Sequence, residues 1–141
     1  MFEGEIEAAD IKQGGLGNCY FLSSLAALTE KPDRIRNLFV NDTINANGVT
    51  GVLLCKNGLK QCVIVDDCIP VKNGGPAFTR TNGHETWVIM LEKAWAKIHG
   101  SYERIVGGDP CNTIRDLCGA PGTSYEVTKT EGLWEKIVEA E

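Results

Sequence analysis

Between Cys19 and Leu28 the chain is apolar nearly all round, with Tyr20, Phe21, Leu22, Leu25, Ala26, Ala27 and Leu28, as suits a helix enclosed by its neighbours. Asn18 stands where an N-cap is wanted. Pro32 fits a first helical position, and the spacing of Ile35, Leu38 and Phe39 predicts a second, short helix with one apolar face. The period then changes. Val49 to Cys55 and Lys60 to Asp66 are β-branched and apolar, and the Asn57-Gly58 pair between them is a strong hairpin signal, so a small antiparallel sheet follows the turn-rich stretch from Asn45 to Gly51. Past Ile69-Pro70, the segment from Lys72 to Gly83 holds two Asn-Gly pairs and Pro76 and is predicted as a long surface loop.

Helical spacing returns with Trp87, Met90, Leu91, Ala94, Trp95 and Ile98, stopped by Gly100. Both tryptophans are expected in the core. Asp109-Pro110 reads as a cap followed by a first-turn proline, opening a helix through Ile114 and Leu117 that ends at Gly119. Ala120-Pro121-Gly122 then resembles a linker. Beyond it, Ser124 to Thr128 is predicted as a strand and Leu133 to Ala140 as a helix. The expected fold class is α+β, mainly helical, with a domain over residues 1–122 and the start of a second, truncated unit over 123–141.

Composition narrows the function. At 141 residues and 43% hydrophobic content, one domain can bury about two-thirds of the surface its unfolded chain exposes. The net charge of −5 and the absence of any basic block argue against nucleic acid as a partner. No apolar run approaches the roughly 18 residues a transmembrane helix needs, and Met1 to Glu5 lacks the basic and apolar regions of a signal peptide. The expected location is cytoplasmic. Six cysteines are present, at 19, 55, 62, 68, 111 and 118. No pair has C-x-x-C spacing and only two histidines occur, so neither a zinc site nor a disulfide scaffold is indicated. The cysteines other than Cys19 are expected to be reduced, mostly buried small hydrophobes.

The candidate chemistry lies in Gln13-Gly14-Gly15-Leu16-Gly17-Asn18-Cys19, where a glycine-rich loop delivers a cysteine to a helix start. The first N–H groups of a helix lack internal acceptors and carry partial positive charge, and a thiol placed there is favoured as the nucleophilic thiolate. Gln13 carries amide donors, and the glycines let the loop fold tightly enough to bring that amide toward the Cys19 N–H, pairing two donors for a developing oxyanion. A buried structural cysteine and a loop amide satisfying a turn are the simpler readings of the same two residues.

The segment Asp10-Ile11-Lys12-Gln13-Gly14-Gly15-Leu16-Gly17-Asn18-Cys19-Tyr20-Phe21-Leu22 resembles the active-site region of the calpains, papain-like, calcium-dependent cysteine endopeptidases. The likeness continues through Val65-Asp66-Asp67-Cys68-Ile69-Pro70, Glu85-Thr86-Trp87, Leu91 to Ile98 and Tyr102 to Gly108. It implies that Asp10 to about Gly122 is the first, helical lobe of a calpain protease core. Cys19 would be the nucleophile acting on protein or peptide substrates, Gln13 an oxyanion donor, and Gly108 a point of backbone contact with the bound peptide. Asp10 and Glu85 fall on the family's acidic calcium ligands, although carboxylates beside helix starts also serve as caps and dipole partners. The family's carbonyl ligands map near Glu3 and Glu5, where the glycine-rich pattern is not kept. Ala8 replaces a basic residue common in calpains.

A thiol protease also needs an imidazole. In papain-type enzymes the histidine and asparagine lie roughly 130 to 150 residues past the cysteine, which here is past Glu141, so a missing second lobe would supply both. His99 is expected as a polar helix-end residue and His84 as a solvent-facing loop residue. The chain alone is therefore expected to be inactive. Two alternatives remain: a calpain-related regulatory or interaction module without hydrolysis, and a deubiquitinase, whose cysteine box Gly17-Asn18-Cys19-Tyr20 superficially resembles. That box usually carries a threonine between the asparagine and the cysteine.

Overall fold

A computed structural model of the chain describes residues 1–43 and 45–140; Ile44 and Glu141, the last residue of the unit expected over 123–141, lie outside them. Two helices form the centre. Helix α1 (Cys19–Leu28) buries Phe21, Leu22, Leu25 and Leu28, and helix α3 (Trp87–His99) buries Trp87 through Leu91, Ala94, Trp95 and Ala96. They meet through Phe21 and Trp95, whose rings stack with centroids 5.2 Å apart. Burial of large apolar side chains at about 1.5–3 kcal/mol each is the main stabilising term here, and both tryptophans belong to it. Gly100 ends α3 at φ 105°, a conformation open to glycine.

Strands β1 (Val49–Lys56) and β2 (Leu59–Asp66) pair antiparallel, with Val49 opposite Asp66 and Lys56 opposite Leu59. Asn57 and Gly58 both take positive φ, 53° and 77°, as the favoured two-residue hairpin turn requires. Thr50, Val52, Leu54, Val63 and Val65 point into the core; Leu53, Cys55, Lys60 and Cys62 lie on the other face. Helix α2 (Pro32–Arg36) is shorter than its apolar spacing predicts. Leu38 and Phe39 leave the helix to run along β1, where Leu53 N–H donates to Leu38 O at 2.7 Å and Val40 N–H to Gly51 O at 2.9 Å. The open edge of β1 offers those bonds, and both side chains still reach the core.

Helix α4 (Pro110–Cys118) follows the predicted signals: Asp109 Oδ1 accepts from Asn112 N–H at 2.8 Å, and Gly119 closes the helix at φ 73°. It packs on α1 and β1. The loop from Lys72 to Gly83 contains a miniature hairpin, β3 (Val71–Lys72) with β4 (Gly75–Pro76), turned by Asn73-Gly74. Ser124 to Thr128 forms no strand. A strand needs an edge to pair with, and among the described residues none faces it; Val127 is 79% exposed. Helix α5 (Leu133–Val138) does form, with no residue buried. Helix makes up about 35% of the chain and strand 17%, so the fold is α+β with helix leading but not dominant. No described helix is long and apolar enough to cross a membrane. The cysteines are free, as expected, but Cys62, Cys68 and Cys118 are exposed and Cys55 and Cys111 half-buried, because the hairpin's outer face, the segment after β2 and the ends of α4 that carry them are not fully covered.

Lys93 of α3 ties the helix to the end of β2. Its ammonium donates to Asp66 Oδ1 at 2.6 Å and to the Asp66 and Cys68 carbonyls. The Lys93 hydrogen bond, with another from Cys68 N–H, lowers the Asp66 carboxyl from 3.8 to about 2. A carboxylate whose pKa is depressed on folding adds stability above its unfolded pKa and loses it as pH falls through the folded value. Asp66→Asn should therefore lower the urea midpoint at neutral pH, with the gap to the parent chain closing between about pH 4 and pH 2.

Candidate active site

The loop before Cys19 is held at three points. Lys12 and Arg80 exchange backbone hydrogen bonds of 3.0 and 2.8 Å, laying the loop's entry along residues 78–80. Gly14 then passes so close that a Cβ there would lie 1.6 Å from the Phe78 carbonyl oxygen, a collision with backbone that only glycine avoids. Farther on, Gly107 N–H donates to Gly17 O at 2.9 Å. The third point is buried. Asn18 gives no side-chain cap to α1, contrary to the expectation; its Nδ2 instead donates to Glu92 Oε1 at 2.7 Å. The same carboxylate accepts from Thr79 Oγ1 and, at 3.1 Å, from Thr79 N–H.

This frame leaves Cys19 as the first residue of α1, with an exposed side chain. Asn18 O takes the N–H groups of Phe21 and Leu22, while those of Cys19 and Tyr20 have no acceptor among the described residues. Two donors therefore stand free at the helix end beside the thiol, the arrangement an oxyanion needs. Gln13 lies in the loop, where its Nε2 donates to Leu16 O at 3.1 Å. A primary amide carries two hydrogens, so that bond fixes the amide and leaves its second hydrogen for another acceptor. Gly108 packs on the ring of Tyr20, where a Cβ would come within 2.4 Å of Cε2. Packing against Tyr20, the neighbour of Cys19, is thus sufficient reason for glycine there.

Asp10 and Glu85 are both buried, at 6% and 3% exposure. Glu85 Oε1 accepts from Glu3 N–H at 2.9 Å and Oε2 from Trp87 Nε1 at 3.2 Å; Asp10 Oδ2 accepts from Glu7 N–H at 2.9 Å. Burial pushes the Glu85 carboxyl above its ordinary value, and the neighbouring Asp10 adds to the shift. Two adjacent buried carboxylates make a donor set of hard oxygens suited to a divalent cation such as calcium. Among the described residues no third acid, histidine or cysteine joins them.

Neither histidine is bonded to Cys19. His99 closes α3 with Nδ1 on Trp95 O at 2.9 Å and Nε2 on Lys56 Nζ at 2.7 Å, and His84 lies in an exposed loop.

The family model for calpain family cysteine proteases matches residues 1–141. The chain belongs to the calpain family. It is similar to the calpain-type cysteine protease DEK1 of Zea mays, 41% identical over 148 residues that cover 98% of this chain and 7% of that protein. DEK1 of Arabidopsis thaliana is 39% identical over the same share of each chain. The human calpain-1 catalytic subunit is 35% identical over 136 residues, 93% of this chain and 19% of that protein. The chain thus spans less than a fifth of the length of these relatives.

Within this calpain-family site the sequence reading missed Glu92. The signal was there: Glu92 lies one turn after Val88 and one before Trp95, on a stripe that is otherwise apolar. Removing a buried carboxylate that serves three donors leaves them unpaired, so Glu92→Ala should cost about 3–5 kcal/mol in urea unfolding. Glu92→Gln keeps one acceptor oxygen and should cost less. An equal loss in both variants would mean that the donors find other partners.

Proposed function

We propose that this chain is the nucleophile-bearing lobe of a calpain-type, calcium-dependent cysteine endopeptidase. The observation that carries the reading is the exposed Cys19 thiol at the start of a buried helix, beside unaccepted N–H groups and on a loop pinned by Glu92. In the reaction, the Cys19 thiolate adds to the scissile carbonyl carbon. The Cys19 N–H and the free hydrogen of the Gln13 amide then hold the oxyanion. The leaving amine takes a proton, and water releases the acyl group from sulfur.

The proton carrier is a histidine, oriented by an asparagine, from a second β-rich lobe outside these residues. His99 does not serve, since both its nitrogens are engaged away from Cys19. Gly108 would give its backbone to an extended protein or peptide substrate beside Tyr20. Asp10 and Glu85 would contribute two carboxylates to a calcium site, where the ion would relieve their mutual repulsion and fix the N-terminal segment against the start of α3. The remaining ligands would be main-chain carbonyls. The family reading also favours an intracellular, cytoplasmic setting. A non-enzymatic calpain-related module is the competing reading, and the free donors around Cys19 argue against it.

The isolated chain should not turn over a fluorogenic peptide with or without calcium. Fused to the histidine- and asparagine-bearing lobe of a plant calpain-type relative, it should gain turnover that Cys19→Ser abolishes. Gln13→Ala should lower kcat about 100-fold. Turnover by the isolated chain that survives Cys19→Ser would sink the assignment. Calcium should raise the melting temperature of the unmutated chain and leave the Asp10→Ala, Glu85→Ala double variant unmoved. An equal shift in both would remove these residues from the site.

A further inference from the structure

We propose that Cys55 and Cys118 form a redox pair that an anionic low-molecular-weight disulfide, of the glutathione disulfide type, oxidises to a bond between β1 and α4. The two sulfurs belong to elements far apart in sequence, yet both line one cavity of about 310 Å³ between α2, the outer face of the hairpin and α4. A Cβ placed on Gly119 would lie 3.2 Å from Cys55 Sγ, so the backbone leaving Cys118 passes directly beside that sulfur. Cys118 is the last residue of α4, and the left-handed Gly119 after it frees its side chain from any following turn. Its thiol is engaged only in a bond to Ile114 O of its own helix, and an S–H is a weak donor whose release costs little.

The cavity also selects the oxidant. Its walls are Leu38, Leu53 and Leu117, its charged lining residues are Arg34 and Lys60, and no acid among the described residues lines it. On a chain of net charge −5 this is a local positive site, complementary to the carboxylates of a glutathione-type disulfide. Cys62 is the other thiol on the same face of the hairpin. It pairs with Leu53, and its sulfur leans the opposite way, lying 3.0 Å from where a Gly51 Cβ would stand.

The chemistry is ordinary thiol–disulfide exchange. The exposed Cys118 thiolate attacks one sulfur of the small disulfide, whose S–S bond breaks. The leaving thiolate takes up the proton Cys118 has lost. The Cys55 thiolate then attacks the Cys118 sulfur, displacing the second small thiol, which gains the Cys55 proton. Two protein thiols are oxidised by two electrons in all, and one small disulfide is reduced to two thiols. The product ties α4 to β1 across the cavity, and α4 in turn packs on α1, the helix that begins at Cys19.

The test is incubation of the folded 141-residue chain with glutathione disulfide, quenching with N-ethylmaleimide and peptide mapping without reduction. The expected result is a Cys55–Cys118 linked peptide, loss of maleimide labelling at those two residues, and a higher melting temperature that dithiothreitol reverses. Cys55→Ser should stop at a glutathione adduct on Cys118. Arg34→Gln with Lys60→Gln should slow linkage by glutathione disulfide several-fold and leave linkage by an uncharged disulfide, hydroxyethyl disulfide, unchanged. Linkage of Cys55 to Cys62, glutathione adducts without linkage in the unmutated chain, or full maleimide labelling of both residues would overturn the pairing. Equal slowing with both oxidants would overturn the role of the two cations.

Discussion

Glu92 stands in the middle of α3 with 2% of its surface exposed, and its two oxygens collect the Asn18 amide, the Thr79 hydroxyl and the Thr79 N–H. A carboxylate withdrawn from water is tolerated only where hydrogen bonds replace its hydration. Here the replacements come from two segments distant in sequence, the end of the loop at Asn18 and the backbone at Thr79. The need of one buried charge therefore fixes where the loop before Cys19 begins its helix and where the Phe78–Arg80 backbone lies against it. The charge is felt nearby as well. Burial raises the Tyr102 phenol to about 12, with the Glu92 carboxylate adding to the effect, and the Tyr102 ring packs on Phe78 at 4.5 Å, beside the same strand of backbone.

The tightness of the loop follows from this anchoring. With Asn18 held inside and Lys12 bridged to Arg80, the residues between must turn within a narrow gap, and Gly14 accordingly lies against the Phe78 carbonyl, where no side chain fits. The Asn18 amide N–H₂ and the Thr79 groups are taken up by the anchoring, while the outward groups, the Cys19 thiol and the first N–H groups of α1, have no partner among the described residues. A reactive group needs a rigid mount and free coordination at once, and the fold separates the two by face.

Much of this was legible in residue order. The hairpin with its Asn57-Gly58 turn, the α3 stripe around Trp87 and Trp95 and the Asp109 cap of α4 each follow from local chemistry, and each forms as expected. The misreadings share a cause, a nonlocal partner that was present or missing. Asn18 has the right chemistry for a cap but finds a stronger acceptor in Glu92, 74 positions away. Leu38 and Phe39 keep their buried face yet trade helical bonds for the edge of β1. Ser124 to Thr128 has strand composition and no edge to join. Spacing and residue type mark Cys19 and Gln13 as the candidate site in the sequence; the donors aimed at Glu92 are not marked, since nothing local shows which buried acid will receive them.

The two ways this chain buries acids explain why one site is a fixture and the other a candidate for binding. Glu92 is surrounded by dipoles that all donate to it, so its charge is compensated within the protein and no ion is called for. Asp10 and Glu85 are equally withdrawn but face one another, and their donors, Glu7 N–H, Glu3 N–H and Trp87 Nε1, leave the repulsion between them in place. Burial raises the Glu85 carboxyl, and the nearby Asp10 adds to the shift. A proton shared between them can relieve the repulsion, and so can a divalent cation, which would also gather further oxygen ligands around the two carboxylates. Because Asp10 closes the turn that leads into the Gln13 loop and Glu85 precedes α3, a pull between them would act on that loop and on the helix that carries Glu92.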